Sequence, residues 1–230
     1  GSLPVQLPVD SEGVHVRSVV PDVQLQFQHP PKQGVRANLR DRPRGLVMPR
    51  SVKELVITLA GHHGSGRTTN AKGLANSLGL RYISTGMLFR ERAEALGVSL
   101  EEMNRLASND REFDNWLDNR TKEESRKRGI VIDASLSAWM AEDPDLRVYV
   151  TCPFEIRVKR MADREGREYD EVEQETRARE ALEQTRYQEY YDVDISDLSI
   201  YDVILNTGIF SIEASARILK NIVEEYVSGV

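Results

Sequence analysis

The chain has a single cysteine, Cys152, among its 230 residues. No internal disulfide is therefore possible, and stability has to come from a packed core, which a chain of this length can build. Cys152 follows a strand expected at 146–150 and reads as a buried structural thiol rather than a nucleophile. No stretch of eighteen apolar residues occurs, so no segment reads as a membrane-spanning helix. No apolar N-terminal stretch resembles a signal peptide. These absences suit a reducing cytoplasm. Positive charge is not in excess either: the net charge of −6 offers no footprint for nonspecific nucleic-acid binding. Internal repeats are missing, which excludes a solenoid or propeller.

What is present is unevenly distributed. Residues 1–53 carry eight Lys and Arg against four Asp and Glu, a net of about +4, which leaves about −10 on the remainder. The same segment holds most of the prolines, including Pro30-Pro31, and Gly1-Ser2 resembles an expression remnant. Val23-Gln24-Leu25-Gln26-Phe27-Gln28 alternates as a half-exposed strand would, with Val14 and Val16 as candidate partners. Residues 29–52 read as an extended basic linker, so 1–53 is expected to be a largely flexible extension. From Glu54 onward strands expected at 55–60, 81–83, 130–133, 146–150 and 203–206 alternate with helices. The helices are expected at 68–78, 87–96, 100–107, 113–127, 154–165, 170–191 and 212–227. Short strands separated by helices predict an α/β fold with a five-stranded parallel sheet covered on both faces. Ligands of such sheets sit beyond the strand C-termini.

The densest signal lies at the end of the first strand. Val56-Ile57-Thr58-Leu59-Ala60 stops at Gly61, and His62, His63, Gly64, Ser65, Gly66, Arg67, Thr68 and Thr69 follow before a run of helix formers. This is the strand, G-x-x-x-x-G-K-[ST], helix order of a phosphate-binding loop, with Arg67 where lysine is expected. Glycines let the backbone wrap an anion, and the helix adds the positive end of its dipole. Arg67 would hold outer phosphate oxygens, and the Thr68 hydroxyl would ligate Mg²⁺. The alternative is a glycine-containing strand–helix turn of some other α/β domain. His62 and His63 have no Cys/His/Asp set at ligand spacing, which argues against a metal on them.

Two further constellations stay open on the residues alone. Ile130-Val131-Ile132-Asp133 ends an apolar strand in a carboxylate, fit either for Mg²⁺ or for capping the next helix. Arg157, Arg160 and Arg164 recur at three and four, as do Arg179, Glu183 and Arg186. Spacing alone favours solvated faces, with Glu180 and Glu183 as ion-pair partners, over cations converging on phosphates.

From about residue 55 to 227 the chain resembles the archaeal-type cytidylate kinases, a nucleoside monophosphate kinase branch of phosphate-loop proteins. The resemblance is carried by an ordered series. It comprises the glycine loop, Ser84-Thr85-Gly86-Met87-Leu88-Phe89-Arg90, Gly97-Val98-Ser99-Leu100-Glu101-Glu102, Asp114-Asn115-Trp116-Leu117-Asp118-Asn119-Arg120, Leu136-Ser137-Ala138-Trp139-Met140, and Arg186-Tyr187 through Asp202. It implies a P-loop NTPase fold with a helical monophosphate-binding insertion at about 97–128 and a short lid at about 160–170. Ser84, Arg90, Asp118 and Arg120 would then face the acceptor nucleotide. Arg160 and Arg164 would belong to the lid, while Arg179 and Arg186 would reach the phosphates. Two departures stand out. The family's loop lysine is Arg67, and the family's E-[GS]-R is Asp133-Ala134-Ser135, so an arginine expected on the acceptor phosphate is Ser135.

The expected function is ATP- and Mg²⁺-dependent phosphorylation of CMP or dCMP by a cytoplasmic monomer that needs neither nucleic acid nor membrane. Two alternatives remain: a nucleotide-binding regulatory or scaffold protein with a degenerate site, and a kinase with another acceptor. Treated separately, the departures predict that Arg67→Lys keeps much of the activity and that Ser135→Arg tightens CMP binding.

Overall fold

The computed structural model describes residues 51–107 and 111–228. The candidate strand at 23–28, its partners Val14 and Val16, and nearly all of the 1–53 extension lie outside them. Ser51 caps a 3₁₀ turn, Val52–Glu54, and Lys53 Nζ donates to the Gly79 carbonyl at 2.9 Å. The boundary drawn between 53 and 54 passes through this turn.

Five strands follow: β1 (Val56–Ala60), β2 (Arg81–Ser84), β3 (Ile130–Asp133), β4 (Leu146–Thr151) and β5 (Val203–Asn206). All pair in parallel, in the order β2-β3-β1-β4-β5. The helices are α1 (Arg67–Leu78), α2 (Thr85–Leu96), α3 (Leu100–Ala107), α4 (Arg111–Arg126), α5 (Ser137–Met140), α6 (Phe154–Glu165), α7 (Tyr169–Tyr191) and α8 (Ile212–Ser228). Only α5 was unexpected as a helix. At four residues it is too short to show a helical period.

β1 is buried at every position because the sheet is covered on both faces. Ile57 and Leu59 pack with Leu74 of α1 and with Leu219 and Val223 of α8. Val56 packs with Ile83, Ile130, Ile132 and Leu88 of α2, whereas Ala60 meets Tyr149 and Tyr201. Burying one large aliphatic side chain of this kind contributes about 1.5–3 kcal/mol. β1 is therefore the most firmly held element, and its C-terminal end is where the glycine loop leaves the sheet. Helices α2, α3 and α4 form their own small apolar cluster around Ala93, Met103 and Phe113, with the Phe89 and Phe113 rings 5.5 Å apart edge to face. Helices α6 and α7 pack on one another through Val158, Met161, Ala162 and Val172.

Candidate functional site

The glycine loop has the backbone a phosphate cradle requires. Gly61 has φ +149°, and a Cβ there would stand 2.3 Å from the Val150 carbonyl oxygen. Gly64, at φ +75°, would place a Cβ 2.6 Å from the Arg157 carbonyl. Neither position admits a side chain. Gly66 caps α1, whose N-terminus opens onto the loop.

Two cavities meet at this loop. The first, of about 510 Å³, runs from Gly64, Gly66, Thr68 and Thr69 past Arg160 and Arg164 to Phe210 and Ile212. The second, of about 740 Å³, lies beyond β2 and β3. Ser84 and Arg90 of the β2–α2 junction, Asp118 of α4 and Ser135 after β3 line it, as do Lys72, Asp114 and Arg186. Four residues line both cavities: His63, Arg67, Thr68 and Arg179. They form the seam.

Asp133 is buried at the seam and is 1% exposed. Its Oδ2 accepts from Thr68 Oγ1 and from Tyr82 Oη, each at 2.8 Å. Its Oδ1 accepts from Arg67 Nε at 2.5 Å. Burial, and then the Asp133 charge, push the Tyr82 hydroxyl up to about 12, so it remains a donor at neutral pH. Thr68 and Asp133 together make an all-oxygen set. That chemistry fits Mg²⁺, which keeps few protein ligands and completes its shell with water and nucleotide phosphates. Of the two sequence readings of Asp133, helix cap or metal ligand, the first is not realised: α5 has Leu136 as its cap residue and no side-chain cap bond.

The cations are held unequally. Arg160 donates to the Thr207 carbonyl at 2.9 Å, and Thr207 Oγ1 in turn donates to Ser65 O. Arg164 is exposed and pairs with its neighbour Glu165. Arg179 Nε donates to Glu183 at 3.2 Å. Arg186 lines only the second of these cavities, and its buried Nε has no hydrogen-bond partner among the described residues. Arg120 does not join them. It lies outside the cavity lining and engages Glu91, Glu123 and Glu124. Two residues on a helix turn the side chain through about 200°, so Asp118 and Arg120 leave α4 on opposite sides.

The loop itself is clamped to α7. His62 Nδ1 lies 3.4 Å from Glu180, and His63 Nε2 donates to Glu183 at 3.0 Å. Arg157, 6% exposed, joins the loop to the same helix by donating to the His63 carbonyl at 2.9 Å and to Glu180 at 2.5 Å. Burial opposes the Glu180 charge, but the hydrogen bonds from His62 and Arg157 prevail and hold its carboxyl at about 2. The ion pairs that spacing suggested therefore exist, and they coexist with cations lining the cavities.

Sequence reasoning missed Tyr82, Lys72 and Asp114 as site residues. Asp114 carried a signal, since it stands one helical turn from Asp118 on α4. Tyr82 and Lys72 carried none, because only the pairing of β2 with β3 and the path of α1 bring them to the seam.

A glycine loop leaving the central strand of a parallel sheet, with a carboxylate beside its threonine and two arginine-lined cavities meeting there, is the arrangement of a phosphate-loop kinase. The profile of the cytidylate kinase-like family matches residues 56–209. The cytidylate kinase of Staphylothermus marinus is 41% identical over 174 residues, covering 75% of this chain and 98% of that protein. Those of Ignicoccus hospitalis and Archaeoglobus fulgidus are 41% and 40% identical, covering 72% and 73% of this chain and 96% and 94% of theirs. Among solved structures, the shikimate kinase of Acinetobacter baumannii superimposes with a TM-score of 0.52 at 17% identity, over 75% of this chain and 96% of that one. This last likeness supports the fold alone. The chain belongs to the cytidylate kinase-like family and is a nucleoside monophosphate kinase.

Proposed function

We propose that this kinase transfers the γ-phosphoryl group of ATP to the phosphate of CMP or dCMP, giving the diphosphate and ADP. The observation that carries this reading is the seam: a glycine-loop cavity and a polar second cavity share Arg67, Thr68, His63 and Arg179. ATP would occupy the first cavity, with its outer phosphates on the loop between Gly61 and Thr69. The monophosphate would occupy the second, between the 97–128 helices and Ser135, near Ser84, Arg90 and Asp118. The relatives' cytidylate kinase names favour a cytosine nucleotide in that place.

No side chain need act as a nucleophile. An acceptor phosphate oxygen attacks the γ-phosphorus in line, and ADP leaves from the opposite side. The protein's contribution is position and positive charge. Arg67 and Arg179 would spread the developing charge from the seam, Arg160 and Arg164 from the lid side at 160–170, and Arg186 from the acceptor side. Thr68 and Asp133 would hold Mg²⁺, which when bound neutralises phosphate charge. Closure of the α6–α7 corner would exclude water. No helix of the described residues is long and apolar enough to cross a membrane, and the lone buried Cys152 fits a reducing cytoplasm.

The test is coupled-assay turnover with each ribo- and deoxyribonucleoside monophosphate. CMP and dCMP should show the highest kcat/KM. Tight ATP binding with no turnover on the whole panel would refute the reading and favour a nucleotide-binding regulator.

A further inference from the structure

The two departures from the family pattern, Arg67 and Ser135, touch each other. Arg67 Nη1 donates to Ser135 Oγ at 2.9 Å and to the Gly61 carbonyl at 3.0 Å, while its Nε lies on Asp133. Three anchors fix the guanidinium plane, leaving Nη2 without a protein partner among the described residues. The group is only 16% exposed, whereas Arg179, the other arginine of the seam, is 56% exposed on a single glutamate. Arg67 is therefore the preorganised cation between the two cavities.

Side-chain length explains why arginine is needed. A lysine ammonium concentrates its donors on one nitrogen at a shorter reach, whereas the guanidinium spreads them over Nε and Nη1 to meet Asp133, Gly61 and Ser135 and keeps Nη2 in reserve. The same geometry explains why position 135 is small and carries a hydroxyl. An arginine there would bring a second guanidinium onto the first, where Ser135 now supplies an acceptor.

Resting on the acceptor reading above, we infer that Arg67 is the acceptor-phosphate ligand of this kinase, and that positions 67 and 135 form one interdependent unit. The positive charge absent from position 135 is supplied across the seam from the glycine loop. Arg67 can thus touch the acceptor phosphate and the transferred group together. This reverses both expectations drawn from the residues separately. Arg67→Lys should lose CMP affinity, and Ser135→Arg should weaken CMP binding rather than tighten it, since like charges then share the pocket.

The experiment is a double-mutant cycle of Arg67→Lys, Ser135→Arg and the double variant. Each is checked for folding by thermal denaturation, and each is titrated calorimetrically with CMP and separately with the non-hydrolysable ATP analogue AMP-PNP. Each single variant should weaken CMP binding by about tenfold or more, as loss of a charge-assisted contact does. The double variant should return to within about threefold of wild type, a strong departure from additivity. AMP-PNP affinity of Ser135→Arg should stay within about threefold. Additive losses in well-folded variants, or a CMP affinity untouched by Arg67→Lys, would overturn the coupled pair while leaving the kinase reading intact. Wild-type protein that binds AMP-PNP but no nucleoside monophosphate would defeat the acceptor reading, and the pair with it.

Discussion

The two cavities are made of different material. The loop side is made chiefly by backbone: Gly61, Gly64 and Gly66 with positive φ, a helix N-terminus, and a clamp of His62, His63 and Arg157 onto two glutamates of α7. The second cavity, the proposed acceptor side, is made by side chains from β2, α2, α4, α7 and the turn after β3, which are distant in sequence. A backbone cradle tolerates change in the residues it displays but not in its path. A pocket of side chains can be re-aimed by single substitutions, and both departures of this chain, Arg67 and Ser135, are among its lining residues. At the seam, Arg67 belongs to both.

The sharpest way to break that contrast is Arg67→Ala, which removes the more buried of the two arginines shared by the cavities. Turnover should fall by a hundredfold to a thousandfold, the usual cost of deleting one preorganised transition-state donor. A coupled assay on protein confirmed to be folded measures it, and an unchanged kcat together with unchanged KM for ATP and for CMP would show that Arg67 serves neither side.

Glu180→Ala attacks the clamp instead. It leaves the Arg157 guanidinium buried without its carboxylate, so stability should drop by about 3 kcal/mol in urea unfolding. KM for ATP should rise more than KM for CMP. The same group predicts an acid limb. Its carboxyl is held at about 2 in the folded protein against an ordinary 4.5. Its contribution is thus complete above pH 4.5 and is lost as pH falls from 4.5 toward 2. Glu180→Ala should flatten that limb, and a limb as steep as the wild type's would assign it to other carboxylates.

The smallest effect belongs to Tyr82→Phe. Asp133 keeps Thr68 and Arg67 after losing the tyrosine hydroxyl, so the cost should be about 1 kcal/mol with kcat little changed. A loss above about 3 kcal/mol would mean that Tyr82, rather than Arg67, fixes the carboxylate.

Local chemistry made much of this molecule legible in advance. The strand-and-helix alternation, the five parallel strands and the loop at 61–69 follow from short-range rules: apolar runs form buried strands, and glycines permit backbone that no other residue adopts. Asp133 was readable as a carboxylate ending a strand, although its role was not. The arginines were readable only as a pattern, because one spacing serves an ion-paired surface and a phosphate-lined cavity equally. Folding realised the ion pairs and the cavity lining together, by setting α6 and α7 across the loop. Tertiary structure likewise set Arg120 among glutamates outside both cavity linings, brought Tyr82 onto Asp133, and joined Arg67 to Ser135 over a separation of 68 residues. Backbone conformation is encoded where it occurs, so the sequence by itself determined the cradle. Side-chain partnership depends on which strands become neighbours, and the parallel pairing of β1 and β2 with β3 made two separate substitutions into one contact.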